Sequence, residues 1–139
     1  MGRKRRFGIS LNENIAEKLD AICSVLNISR SAFVEDSIEF GVKAHMHYTV
    51  DHECEGILVA IWPSSSESAS TIERAIELRK SVVKFDTHLH SNNNCVLIAS
   101  LKGSSKEIAA LHTELKKVRN SAVIYVPFCE LIEENKASQ

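Results

Sequence analysis

Two prolines, five glycines, one tryptophan and an aromatic content of 6% leave no basis for a collagen-like, low-complexity or turn-dominated chain. No apolar run approaches the roughly 20 residues that a membrane helix needs, and the basic start, Met1 to Arg6, is followed by no signal-peptide core. The expectation is a cytoplasmic protein with no membrane partner. Cys23, Cys54, Cys95 and Cys129 are widely scattered and form no C-x-x-C pair, which argues against a disulfide framework. A net charge of -1 argues against a chain that coats nucleic acid along its whole surface. What is present is a globular balance of 44% hydrophobic and 25% charged residues, in 139 positions that suffice for one ordinary domain or two small ones.

The charge is unevenly placed. Arg3, Lys4, Arg5 and Arg6 precede any acidic residue, so a basic tip opens the chain. Phe7, Ile9 and Leu11 then alternate with Arg6, Gly8 and Ser10, the pattern of a short two-faced strand. Asn12 can cap a helix with a stripe of Ile15, Leu19, Ile22 and Leu26, ending near Asn27. Ser29 can cap a second helix striped with Phe33, Val34, Ile38 and Val42. One strand and two helices cannot cover each other's apolar faces, so a second copy must complete the unit. Two such strands paired across a twofold axis make a ribbon that fits the DNA major groove. The pattern resembles the ribbon-helix-helix repressors. That resemblance places Arg6, Gly8 and Ser10 at the base-reading positions and Ser29, Arg30 and Ser31 against phosphate, with Arg3, Lys4 and Arg5 beside them. Gly8 has no side chain with which to read a base, which leaves readout to Arg6 and Ser10.

Residues 1–46 therefore form an expected DNA-binding domain and residues 47–55 an expected linker, leaving residues 56–139 as a second domain. In that domain Gly56 to Trp62 reads as a buried strand. The Ser-rich stretch after Pro63 reads as a loop leading to a helix over 71–80, and strands follow over 81–90 and 95–101. A helix from Ser104 or Ser105 to about Arg119 and a last strand over 122–128 complete the order β-α-β-β-α-β. This is the ferredoxin-like plan, four antiparallel strands with both helices on one face, and the whole chain is expected to be α+β.

The segment VVKFDTHLH carries the most specific chemistry. Its period of two puts Val83, Phe85, Thr87 and Leu89 on one face and Lys84, Asp86, His88 and His90 on the other. The first set is expected beneath the helices. A hairpin through SNNN sets His90 opposite Cys95, so His88, His90 and Cys95 converge on the helix-free face. Two imidazoles and a thiolate suit nickel, copper, zinc or cobalt. Leu97, Ala99 and Leu101 continue that face, which suggests that another subunit covers it.

With the opening strand and helices and the domain order, the run THLHSNNNCVLIASLKG resembles the nickel-responsive regulators of the NikR type over nearly the whole chain. The resemblance implies a ribbon-helix-helix domain joined to an ACT-like domain, a homotetramer built as a dimer of dimers, binding to double-stranded operator DNA, and a divalent transition metal, nickel first, held by His88, His90 and Cys95. It also implies a further imidazole from a neighbouring subunit's helix. The corresponding position here is Glu77, in TIERAIELRK, which contains no histidine. Glu77 is thus the candidate fourth ligand, and zinc, cobalt and copper stay open beside nickel. His45, His47, His52 and Cys54 form a looser cluster near the linker, a candidate auxiliary site or plain surface residues, and His112 is assigned no role. The expected function is a metal-responsive transcriptional repressor and not an enzyme, since no carboxylate is placed as a general base. The alternative is a regulator of the same build that answers to another metal or to a small organic ligand.

Overall fold

The computed structural model describes residues 2–64 and 66–129. The second domain expected from the sequence runs to residue 139, and its last ten positions lie outside the described residues. The chain falls into two compact units that meet between Phe40 and Gly41.

In the first unit, Asn12 Oδ1 accepts from the Asn14 amide at 3.0 Å and starts α1 (Glu13–Leu26). Asn27, in the left-handed region at φ 53°, ends it by donating to the Cys23 and Ser24 carbonyls. Ser29 Oγ then accepts from the Ala32 amide at 3.1 Å and starts α2 (Arg30–His45). These three caps stand where the sequence puts them. The strand expected over Arg6 to Leu11 is absent: residues 2–12 form neither helix nor strand, and Phe7, Ile9 and Leu11 are 79%, 57% and 45% exposed. A strand needs a hydrogen-bonding neighbour, and one copy of this chain offers none. Ile9, Leu11, Ile15, Ile22, Phe33 and Ile38 line an open apolar groove.

The second unit continues α2 into a single 3-10 turn, Met46–Tyr48, and then β1 (Glu53–Pro63), α3 (Ser66–Leu78), β2 (Val83–Ser91), β3 (Asn94–Ser104), α4 (Ser105–Lys116) and β4 (Ala122–Pro127). The sheet order is β2-β3-β1-β4 and every pairing is antiparallel, the expected βαββαβ plan. Within the stretch expected to be linker, His47 and Cys54 are each 2% exposed and β1 begins three residues before Gly56. The Ser-rich segment, expected as a loop, is helical from Ser66 onward, and within it the Ser70 and Thr71 hydroxyls each donate to the Glu67 carbonyl at 3.0 Å.

The two faces of the sheet are reversed from expectation. Cys54, Leu58, Ala60 and Trp62 of β1, Cys95, Leu97, Ala99 and Leu101 of β3, and Tyr125 of β4 pack in one core with Ile72 and Ala75 of α3 and Ile108, Leu111 and Leu115 of α4. The face holding Leu97, Ala99 and Leu101 is therefore the helix-covered one. Phe85 and Leu89, expected beneath the helices, are 63% and 50% exposed on the opposite face, where Ile61, Ile124 and Val126 are also exposed. β2 is an edge strand, so Asp86, His88 and His90 lie on the helix side of the sheet yet remain exposed at its margin.

Candidate metal centre and nucleic-acid face

The hairpin between β2 and β3 positions the first group of donors. His90 pairs with Cys95 and Ser91 with Asn94, and Asn92, at φ 53°, turns the chain in two residues rather than the four expected. The tight turn brings His90 Nδ1 to 3.2 Å from Cys95 Sγ. Two ligands of one ion at bond lengths of about 2.0 and 2.3 Å stand roughly this far apart, so imidazole and thiol already have the spacing of a shared cation. Ser64 Oγ approaches the same sulfur at 3.4 Å, and the Ser64 amide donates to the Asn93 carbonyl at 2.8 Å, tying the end of β1 to the turn.

His88 shares the face but is engaged elsewhere: its Nε2 lies 3.5 Å from Asp86 Oδ2, and its ring stands edge-on to Trp62 with centroids 6.1 Å apart. Trp62 pairs with Cys95 across β1 and β3, and its buried indole Nε1 meets no acceptor among the described residues. Glu77, the fourth candidate, sits on exposed α3 surface in an ion pair with Lys80 at 3.0 Å.

At the other end of the chain Arg3, Lys4, Arg5, Arg6, Gly8 and Ser10 are all exposed, as are Ser29, Arg30 and Ser31. Arg5 lies over the Phe7 ring at 5.6 Å, a cation–π contact. Ser29 is spent on the α2 cap and Arg30 on Asp20 at 2.7 Å. An added Cβ at Gly8 would meet nothing within 4 Å, so no packing demand explains this glycine.

Residues 5–44 match the ribbon-helix-helix protein family of the copG type. Over 123 residues, 86% of this chain and 88% of the other, the sequence is 28% identical to a protein of Lawsonia intracellularis and 29% identical to one of Solidesulfovibrio magneticus; each bears the name "Putative nickel-responsive regulator". A Thermococcus kodakarensis protein of the same name is 24% identical over 127 residues, 86% of this chain and 91% of that one. Residues 5–44 are thus a ribbon-helix-helix domain, in a chain similar over most of its length to proteins that bear the name of nickel-responsive regulators. A solved structure of an uncharacterised protein from Thermotoga maritima aligns with 55% of this chain and 98% of its own at a TM-score of 0.53 and 15% identity, a likeness of fold alone.

A second donor group takes in His52 and Cys54, two members of the cluster that the sequence offered as a candidate auxiliary site, and adds Cys129. Among the described residues, the set of three His, Cys or carboxylate side chains whose ligand atoms all fall within 4.8 Å is His52, Cys54 and Cys129. Cys54 Sγ is 3.4 Å from Cys129 Sγ and 3.1 Å from the Tyr125 hydroxyl, while Cys129 Sγ is 3.8 Å from His52 Nε2. Burial pushes the Cys54 thiol up to about 11 and raises the Tyr125 phenol further still, their mutual contact adding to the tyrosine's shift. Cys129 joins the group through the register of β4 on β1. Gly56 pairs with Pro127, so two more residues of the same antiparallel register bring Cys129 opposite Cys54.

The remaining histidines divide. His45 is exposed, its Nδ1 2.7 Å from the Gly41 carbonyl and its Nε2 3.0 Å from Lys116 Nζ. His47 and His112 are 2% and 1% exposed, with His47 Nε2 3.0 Å from His112 Nδ1 and the Tyr125 ring edge-on to His47 at 4.7 Å. Burial, with Lys116 and the neighbouring imidazoles, lowers His47 to about 4 and His112 to about 3. His112 thus has a defined structural partner. The signal was its place in the inward stripe of Ile108, Leu111 and Leu115.

Proposed function

We propose that this protein is a transcription regulator that works in the cytoplasm, binds double-stranded operator DNA through a dimeric ribbon, represses, and does so in response to a divalent transition metal, nickel first. The observation that supports this reading most is the 3.2 Å approach of His90 Nδ1 to Cys95 Sγ in a chain whose residues 5–44 match the ribbon-helix-helix family. One imidazole nitrogen and one soft sulfur at that spacing suit Ni(II), Cu(II), Zn(II) or Co(II) far better than a hard cation. His88, on the same face, would be a third ligand once its imidazole turned from Asp86. An ion held by these residues would tie β2 to β3 at the hairpin. Glu77 of another copy, freed from Lys80, is the candidate fourth ligand.

Two apolar surfaces support a homotetramer. The groove of the first unit is the surface a second copy would cover when residues 6–11 pair into a ribbon. The bare sheet face with Phe85, Leu89, Ile61, Ile124 and Val126 is the surface on which two such dimers would join. Arg6 and Ser10 would then point into the major groove, with Arg3, Lys4 and Arg5 near phosphate and the α2 start at Ser29, Arg30 and Ser31 against the backbone.

One observation favours a second reading, in which the same regulator answers to another metal or to a small organic ligand. Glu77 is already paired with Lys80, and α3 has no histidine to offer in its place. Selection of bound duplexes from a random oligonucleotide pool, with nickel, zinc, cobalt or chelator present, tests both. Sequence enrichment only with nickel supports the first reading, and equal enrichment in chelator removes metal from the mechanism.

A further inference from the structure

We infer that His52, Cys54 and Cys129 form a second metal site, built for zinc(II) or an ion of like softness, independent of the His90 and Cys95 pair. The two groups sit at opposite ends of the same central strand. Cys54 is near the start of β1, whereas Cys95 pairs with Trp62 near its end, eight residues along and so about 26 Å away at strand rise. No single ion can bridge them.

The donor set has the spacing of a tetrahedral site. Bonds of about 2.3 Å to sulfur and 2.0 Å to nitrogen put two sulfurs roughly 3.8 Å apart and a sulfur and a nitrogen about 3.5 Å apart. The observed separations are 3.4 Å for Cys54 to Cys129 and 3.8 Å for Cys129 to His52. The imidazole is also oriented. His52 Nδ1 lies 2.7 Å from the Val50 carbonyl, so that nitrogen carries the proton and Nε2 presents its lone pair toward the sulfurs.

The backbone beneath the donors is pinned. The His52 amide donates to Ser105 Oγ at 3.0 Å, the Ser105 amide donates back to the His52 carbonyl at 2.8 Å, and the Ser105 hydroxyl is itself buried. Cys129 follows a residue whose amide is fixed to the Glu55 carbonyl at 2.7 Å. Three protein ligands leave a fourth position for water. Both cysteines bind as thiolates, so each thiol releases its proton to the buffer as zinc enters. The half-buried His52 and Cys129 give the ion a path from solvent.

The test uses the full chain with His90→Ala and Cys95→Ala, which silences the other donor group. Kept reduced and stripped with chelator, this protein is titrated with zinc against a competing dye and with cobalt(II) by absorbance. The expected result is one ion per chain and a thiolate-to-cobalt charge-transfer band. Adding Cys129→Ser or His52→Ala, both at positions outside the fully buried core, is expected to weaken zinc by at least about a hundredfold, more than loss of a supporting contact costs. No zinc uptake, uptake unchanged by either variant, or a Cys54–Cys129 disulfide that forms in air with no zinc bound by the reduced protein each overturns the inference. Because His90 and Cys95 are absent throughout, a failure here leaves the DNA-linked metal reading untouched.

Discussion

The buried pair of His47 and His112 makes folding of the second unit pH-dependent in a calculable way. Two neutral imidazoles can share the 3.0 Å hydrogen bond, one donating and one accepting, whereas two imidazolium rings cannot. Both rings titrate lower in the fold, at about 4 and about 3, than the ordinary value of 6.5. The unfolded chain therefore binds protons first as pH falls, so stability is full above 6.5 and drains away from 6.5 down to about 4 for His47 and about 3 for His112. Between about pH 7.5 and about pH 5, proton linkage removes about 2 kcal/mol for each ring. The rings share one bond and do not add simply, which sets the pair's cost at about 2 to 4 kcal/mol, a large part of the 5 to 15 kcal/mol typical of a domain. Urea unfolding at the two pH values, in chelator, measures this loss as a fall in midpoint. The double variant His47→Phe/His112→Leu keeps the packing volume and removes both titrations, and its midpoint is expected to fall far less. An equal fall in the double variant would refute the assignment to these rings.

Three further outcomes follow from the packing. A Cβ on Gly56 would meet the Val126 carbonyl at 2.5 Å and the Tyr125 ring at 2.6 Å, so Gly56→Ala is expected to cost about 2 kcal/mol or more in urea unfolding. Phe85→Asp with Ile124→Asp, on the bare sheet face, is expected to leave the circular dichroism spectrum intact while sedimentation shows a smaller assembly; an unchanged assembly would move the interface elsewhere. Trp62, the one tryptophan, stands beside Cys95 and His88, so nickel or copper is expected to quench its fluorescence in the native chain and not in His90→Ala/Cys95→Ala.

How far the sequence could be read depended on local contrast. Asn12, Asn27 and Ser29 were legible because a cap is a property of one residue and its next three amides. The pairing of His90 with Cys95 was legible because a hairpin fixes register over a few residues. The covered side of the sheet was not. In β3, Val96 and Ile98 on one side match Leu97 and Ala99 on the other, so alternation offers no polarity by which to choose a face. The edge position of β2 then misled further, since Phe85 and Leu89 look like core and instead face outward. The grouping of His52 with Cys54 and Cys129 needed the β1–β4 register, which is a long-range fact. His112 needed only the helical period, which was there to be used. The first strand failed to appear for another reason: a single copy offers that segment no hydrogen-bonding neighbour.

The most direct test of metal-dependent DNA recognition is the affinity of nickel for the protein with and without its selected duplex. If one ion at His88, His90 and Cys95 favours the arrangement that grips DNA, then DNA must tighten nickel by the same factor by which nickel tightens DNA, typically about 5- to 150-fold. The account predicts that reciprocal gain in the native chain and its loss in His90→Ala/Cys95→Ala. Equal nickel affinity with and without DNA would contradict it.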